Sequence, residues 1–155
     1  MRSRNNSALI DGLPRSCVAS SGPPERSEVG VTLVLDSGAL IALERNERRM
    51  WVRLKAARLS EELPVTHAGV IGQVWRGGPR QARLSQALAA NDVRVLDEDL
   101  GRAAGQLLAA TGLSDVIDAA VVLLAHDGDE IATSDHDDLG QLASSSGRHV
   151  ELIHP

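Results

Sequence analysis

The sequence predicts an α/β fold, a sandwich of helices around a mostly parallel sheet. Two observations carry that expectation. Short apolar runs that end in turn signals alternate with stretches of helical period, and hairpin signals are nearly absent. The clearest run, residues 31–35, has four apolar and three β-branched side chains, and Asp36 follows at once. A buried central strand of a parallel sheet reads this way, and open α/β sheets place ligands beyond the carboxyl ends of such strands.

The elements follow in order. After Asp36, Ser37-Gly38 and the apolar start Ala39–Leu43 predict a helix over about 38–45. Residues 47–60 put Met50, Trp51, Leu54, Ala57 and Leu59 near helical spacing, with basic residues between them. Met50, Trp51 and Leu54 suit either the core or a partner surface. Residues 64–66 form a short second strand. His67 then opens a helix to Trp75, most simply as a cap or surface residue, and Arg76-Gly77-Gly78-Pro79 stops it. Pro79 suits the start of the next helix, whose apolar stripe is Ala82, Leu84, Ala87 and Leu88.

Residues 93–96 are a third strand, and Asp97-Glu98-Asp99 suit a first helical turn. Leu100, Ala103, Ala104, Leu107 and Leu108 then trace an amphipathic helix that Gly112 ends. Ser114-Asp115 begins a helix that is apolar almost all round as far as Ala125. Residues 130–133 are a fourth strand, followed by Ser134-Asp135. A helix over about 137–144 leads to a last strand at 149–153.

Composition narrows the possibilities. The 155 residues suit one domain, with residues 1–28 as a disordered extension and 29–155 as the folded unit. With no Phe or Tyr, the core must be aliphatic. A lone cysteine, Cys17, excludes an internal disulfide and a zinc–cysteine cluster. No apolar run approaches the ~18 residues of a membrane span, and no secretory apolar region is visible, so a cytoplasmic protein is expected. Residues 45–83 carry nine Arg or Lys against three Glu, whereas residues 84–155 carry three Arg against thirteen Asp or Glu. Two solvated faces would account for this. So would a molecule that gathers divalent cations in one place and holds a polyanion in another.

The acidic half contains the candidate chemistry. Asp118 interrupts Val116–Leu124, a helix otherwise fit for burial, where a carboxylate needs a partner. Asp115 lies one turn earlier, where it also suits the helix dipole. Asp135 repeats the logic of Asp36: a strand at 131–133, then Ser134, then an aspartate just past the strand end. If Asp36, Asp115, Asp118 and Asp135 converge, like charges ~4 Å apart repel by about 4 kcal/mol at an effective dielectric of 20. Such a group must hold a hard divalent cation or stay protonated. Oxygen ligands select Mg²⁺ or Mn²⁺ over zinc, and these ions characteristically serve phosphate-ester chemistry. Asp137 and Asp138 read as helix-start residues that can support such ligands.

These residues resemble the PIN-domain ribonucleases, particularly the VapC-type toxins of bacterial toxin–antitoxin pairs. The likeness spans about residues 31–153. It rests on Leu33-Val34-Leu35-Asp36-Ser37-Gly38-Ala39-Leu40-Ile41-Ala42, on Asp118-Ala119 with its apolar continuation, and on Ala132-Thr133-Ser134-Asp135. The resemblance implies a PIN-like three-layer sandwich over residues 29–155 and a metal-dependent endoribonuclease using Mg²⁺ or Mn²⁺. It also implies an RNA substrate, a cognate antitoxin protein and a homodimer. Asp36, Asp118 and Asp135 would hold the metal, with Asp115 as a further ligand and Ser37 beside them to orient water or phosphate, unless it only caps the helix. Arg45, Arg48, Arg49, Arg76, Arg80 and Arg83 would meet RNA or antitoxin carboxylates, though each alone suits a solvated surface.

One departure matters. Where the family carries glutamate in a Val-x-x-Glu-Val-x-Arg-Gly pattern, this chain has Gln73, in Val70-Ile71-Gly72-Gln73-Val74-Trp75-Arg76-Gly77. Gln73 offers a neutral oxygen in place of a charge, which weakens cation binding unless Asp115 replaces it. A catalytically weakened PIN domain that binds RNA or protein is therefore the alternative reading. A receiver-like domain phosphorylated on Asp36 is a third, disfavoured because the only lysine, Lys55, lies early in the chain.

Overall fold

The computed structural model describes residues 30–60 and 62–155. The expected extension over 1–28 lies outside the described residues. Five strands, β1 (Leu33–Leu35), β2 (Val65–His67), β3 (Asp92–Arg94), β4 (Glu130–Ala132) and β5 (Glu151–Ile153), form one sheet in the order β3-β2-β1-β4-β5. Every strand pair is parallel. Among the described residues seven helices flank it: α1 (Ser37–Glu44), α2 (Arg48–Ala57), α3 (Ala68–Val74), α4 (Ala82–Leu88), α5 (Glu98–Thr111), α6 (Val116–Leu124) and α7 (His136–Ser146). A 3₁₀ turn, Pro79–Gln81, precedes α4.

The winding direction reverses at β1. The chain steps outward through β1, β2 and β3, then crosses back to β4 and continues to β5. Right-handed crossovers therefore assign α1–α4 to one face and α5–α7 to the other. The contacts agree: α1 packs on α2, α3 and α4, while α5, α6 and α7 pack on one another. The boundary between β1 and β4 is the topological switch point, where a crevice opens beyond the strand ends.

The core is aliphatic, as expected. Val34, Leu35, Leu40, Leu43, Val70, Leu84, Val121, Ile131 and Leu139 are among its fully buried members. Met50 and Leu54 also belong to it, which decides their role against a partner surface. The boundaries follow local chemistry. Asp97, Asp115 and Asp135 cap α5, α6 and α7 through their side chains. Gly112 and Gly147 end α5 and α7 in the left-handed conformation. The strand expected to Leu96 stops at Arg94, because β3 is an edge strand whose continuation, Val95 and Leu96, is exposed.

A buried carboxylate that the sequence reading left unassigned fastens the opposite end of the sheet. Asp129 accepts hydrogen bonds from the Thr32 N–H and the His126 N–H, each at 2.8 Å. Glycine matters most at Gly38. A Cβ there would lie 2.1 Å from Ser134 Oγ and 2.8 Å from the Ser134 backbone nitrogen, so α1 and the loop after β4 approach as only glycine allows. Gly38→Ala is expected to destabilise the fold by about 1–3 kcal/mol. Gly105→Ala, in open space within α5, is expected to stabilise it by about 0.4–1 kcal/mol. Urea unfolding of both variants checks the contrast, and equal effects would refute the close approach.

Candidate functional site

Parallel register brings the site together. Leu35 pairs with Thr66 on one side and Ala132 on the other. The next residues of the three strand ends, Asp36, His67 and Thr133, therefore stand side by side at the switch point. All three are buried, with Asp36 only 4% exposed and His67 only 1%.

Asp36 occupies the position preceding α1 but makes no side-chain cap. Its Oδ2 instead accepts a 2.8 Å hydrogen bond from Thr133 Oγ1, and its Oδ1 is buried without a partner among the described residues. A buried carboxylate oxygen is costly to leave bare, so its retention points to a ligand. Thr133 Oγ1 also accepts the Asp135 N–H at 2.9 Å. One hydroxyl thus connects the two strand-end aspartates.

Asp115 and Asp135 are both exposed, and each uses Oδ1 as a helix cap. Asp115 Oδ1 accepts the Ile117 N–H at 2.8 Å and the Asp118 N–H at 3.3 Å. Asp135 Oδ1 accepts the Asp138 N–H at 3.1 Å. Asp115, expected at the helix start as a complement to the dipole, thus also caps α6, and its second oxygen is not part of the cap. Asp118 is half-buried, while Ala119–Val122 of the same helix are buried. A cavity of about 160 Å³ is lined by Asp115, Asp118 and Asp138, with Gly112–Ser114 and Leu142 completing its wall.

The electrostatics register this convergence. Burial, followed by the charges of Asp115, Asp36, Asp135 and Asp138, pushes the Asp118 carboxyl up to about 7. Four carboxylates therefore act on one acid. A hard cation would offset this repulsion. No three His, Cys, Asp or Glu side chains among the described residues are drawn together as a metal-binding group, and Asp36 and Asp135 do not line the cavity of Asp115, Asp118 and Asp138.

The remaining expected residues fare differently. Gln73 is exposed on α3, and its side chain makes no hydrogen bond among the described residues. Ser37 is the first residue of α1, and its hydroxyl neither caps the helix nor bonds elsewhere among them. Arg76 turns back on α3, donating to the carbonyls of Trp75 and Gln73 at 2.8 Å each. Arg45, Arg49 and Arg80 are exposed, and Arg48 and Arg83 line a separate pocket.

Two residues gain weight. Asp138, read as a helix-start residue, faces the cavity with Asp118. His67 caps α3, as foreseen, but is buried. Its Nδ1 accepts the Gly69 N–H at 3.0 Å, which leaves Nε2 to carry the proton in the neutral ring, and Nε2 has no partner among the described residues. Burial lowers its pKa and favours that neutral form. No periodicity marks His67 as buried, because Val65-Thr66-His67 is too short to reveal which face it presents.

No protein-family profile matches the chain, and no curated protein matches its sequence. Among the described residues no single helix is long and apolar enough to cross a membrane.

Two outcomes are expected. Thr133→Val removes the donor to Asp36 and the acceptor for Asp135 N–H, and should cost about 1–3 kcal/mol in chemical unfolding. An undiminished midpoint would show that this hydroxyl holds nothing. For Asp118, the unfolded carboxyl loses its proton near 3.8 while the folded one keeps it to about 7. The native state thus binds more protons between these values, and stability falls as pH rises through that window. Asp118→Asn should be neutral near pH 3 and stabilising by about 1–2 kcal/mol at pH 8, allowing for solvent screening of a half-exposed group. A pH-independent effect would remove Asp118 from the titration.

Proposed function

We propose that this chain is a PIN-like, metal-dependent ribonuclease of the VapC toxin type, hydrolysing RNA phosphodiester bonds. The observation that carries the reading is the group of carboxylates at the β1–β4 switch point, where four acids press on Asp118 and Asp36 keeps a buried oxygen without a partner among the described residues. Asp36, Asp118 and Asp135 would hold Mg²⁺ or Mn²⁺, with Asp115 contributing its non-capping oxygen and Asp138 flanking Asp118. Such an ion, when bound, lowers the pKa of water and offsets charge on the phosphate oxygens. Thr133 fixes the Asp36 carboxylate and the backbone of Asp135. His67 presents a neutral N–H donor at the strand end next to Asp36. The partners in this reading are an RNA substrate, a cognate antitoxin and a second copy of the chain.

A weakened, RNA- or protein-binding PIN domain is the second reading. Exposed, neutral Gln73 favours it, as does the lack, among the described residues, of three acid, histidine or cysteine side chains grouped to hold a metal.

Purified protein should cleave structured RNA with Mn²⁺ or Mg²⁺, and Asp36→Asn should reduce the rate by at least 100-fold, on the order seen for loss of an essential charge-stabilising group. Full activity in that variant would end the metal assignment. Gln73→Glu distinguishes the readings: a large gain indicates a weakened site, and an unchanged rate indicates that the aspartates suffice. Mn²⁺ affinity measured by calorimetry should rise from pH 6 to pH 8 as Asp118 ionises. A flat profile would exclude Asp118 as a ligand.

A further inference from the structure

A second pocket, of about 410 Å³, opens at the turn between α1 and α2 and against α4. Asn46, Arg48, Trp51, Lys55, Arg83 and Gln86 line it. Its frame is fixed. Asn46 adopts the left-handed conformation that closes α1, with the Asn46 N–H donating to Leu43 O at 3.1 Å and the Glu47 N–H to Ala42 O at 2.9 Å. The Trp51 indole Nε1–H also donates to Leu43 O, at 3.1 Å, which holds the partly buried ring as one wall.

The charge is of one sign. No acidic side chain lines this pocket, and none of Arg48, Lys55 and Arg83 has an ion-pair partner among the described residues. At the same place α2 begins with Arg48, and Glu47 before it makes no side-chain cap. Uncapped amides of a first turn add to the attraction for an anion. The acidic crevice lies at the other end of α1, which rises about 12 Å over its eight residues.

We propose that this pocket seats one nucleotide of a single-stranded RNA, a proposal that rests on RNA being the substrate of the crevice. Arg48, Lys55 and Arg83 take the phosphates, the base stacks on Trp51, and the Asn46 and Gln86 amides bond its edge. Cations alone would suit an acidic peptide equally well. An aromatic wall with amides beside the cations is what a nucleotide requires, since single strands are held by stacking plus backbone charge. The carboxylates of the crevice supply no cationic grip of their own, and this pocket would provide one for the same strand.

The test measures binding alone. Trp75→Phe leaves Trp51 as the single tryptophan of the full chain. An eight-nucleotide single-stranded RNA, titrated in EDTA, should quench Trp51 emission. Lys55→Ala with Arg83→Ala should weaken binding at least tenfold at ~0.1 M salt and flatten the log–log salt slope by about 1.4. Circular dichroism verifies folding, and Lys55→Gln alone serves if the double variant is unfolded. Unchanged Trp51 emission, or undiminished affinity in a folded variant, overturns the proposal. So does an oligoglutamate peptide that quenches as strongly as RNA, because the occupant would then be an acidic protein. Cleavage is not measured, so a protein that fails to cut RNA can still pass this test, and an active nuclease can fail it.

Discussion

The Thr133 hydroxyl and the β1–β4 pairing beneath it set the geometry on which the crevice depends. Thr133 donates to Asp36 and accepts from the Asp135 backbone, so two aspartates ninety-nine positions apart in the chain share one fixed atom. The hydroxyl sits there because β4 pairs directly with β1, in the register Leu35 to Ala132. Gly38 permits the same closeness one residue further on, where a side chain would collide with Ser134. Loosening either contact would separate Asp36 from Asp135 without changing any charge.

Bringing carboxylates together is opposed by their mutual repulsion, and the fold provides partial compensation. The N-termini of α6 and α7 begin at Asp115 and Asp135, so the positive ends of two helix dipoles border the acids. Backbone N–H groups satisfy one oxygen of each capping aspartate. Asp118 receives no such cap of its own, and it is the acid that responds by retaining its proton to near neutrality. The same geometry that raises its pKa would suit a divalent cation, which replaces a proton with a stronger source of positive charge.

The charge imbalance along the chain becomes a separation in space. The basic stretch places its charge in and beside α2 and around the turn before α4, on one face of the sheet, and the acidic stretch includes α5–α7 on the other. The strand-end crevice lies where the acidic helices reach the switch point, and the basic pocket lies at the far end of α1. Positive and negative charge thus stand at different ends of one helix.

The sequence by itself determined the element order, the parallel α/β class and the aliphatic core, because these follow from local periodicity and turn chemistry. Val31–Asp36 and the Asp118 helix were legible as positions for acids, since a carboxylate in an apolar run contradicts its surroundings. Which atoms meet was not legible. That Asp36 leaves one oxygen bare, that Asp138 joins Asp118, that His67 is buried beside Asp36, and that Met50 and Leu54 are core all depend on strand order and register. Those are contacts between segments far apart in the chain, and three-residue strands carry too few side chains to encode them locally. Only the tertiary structure decided them, through the pairing of β1 with β2 and β4 and the packing of α6 across their ends.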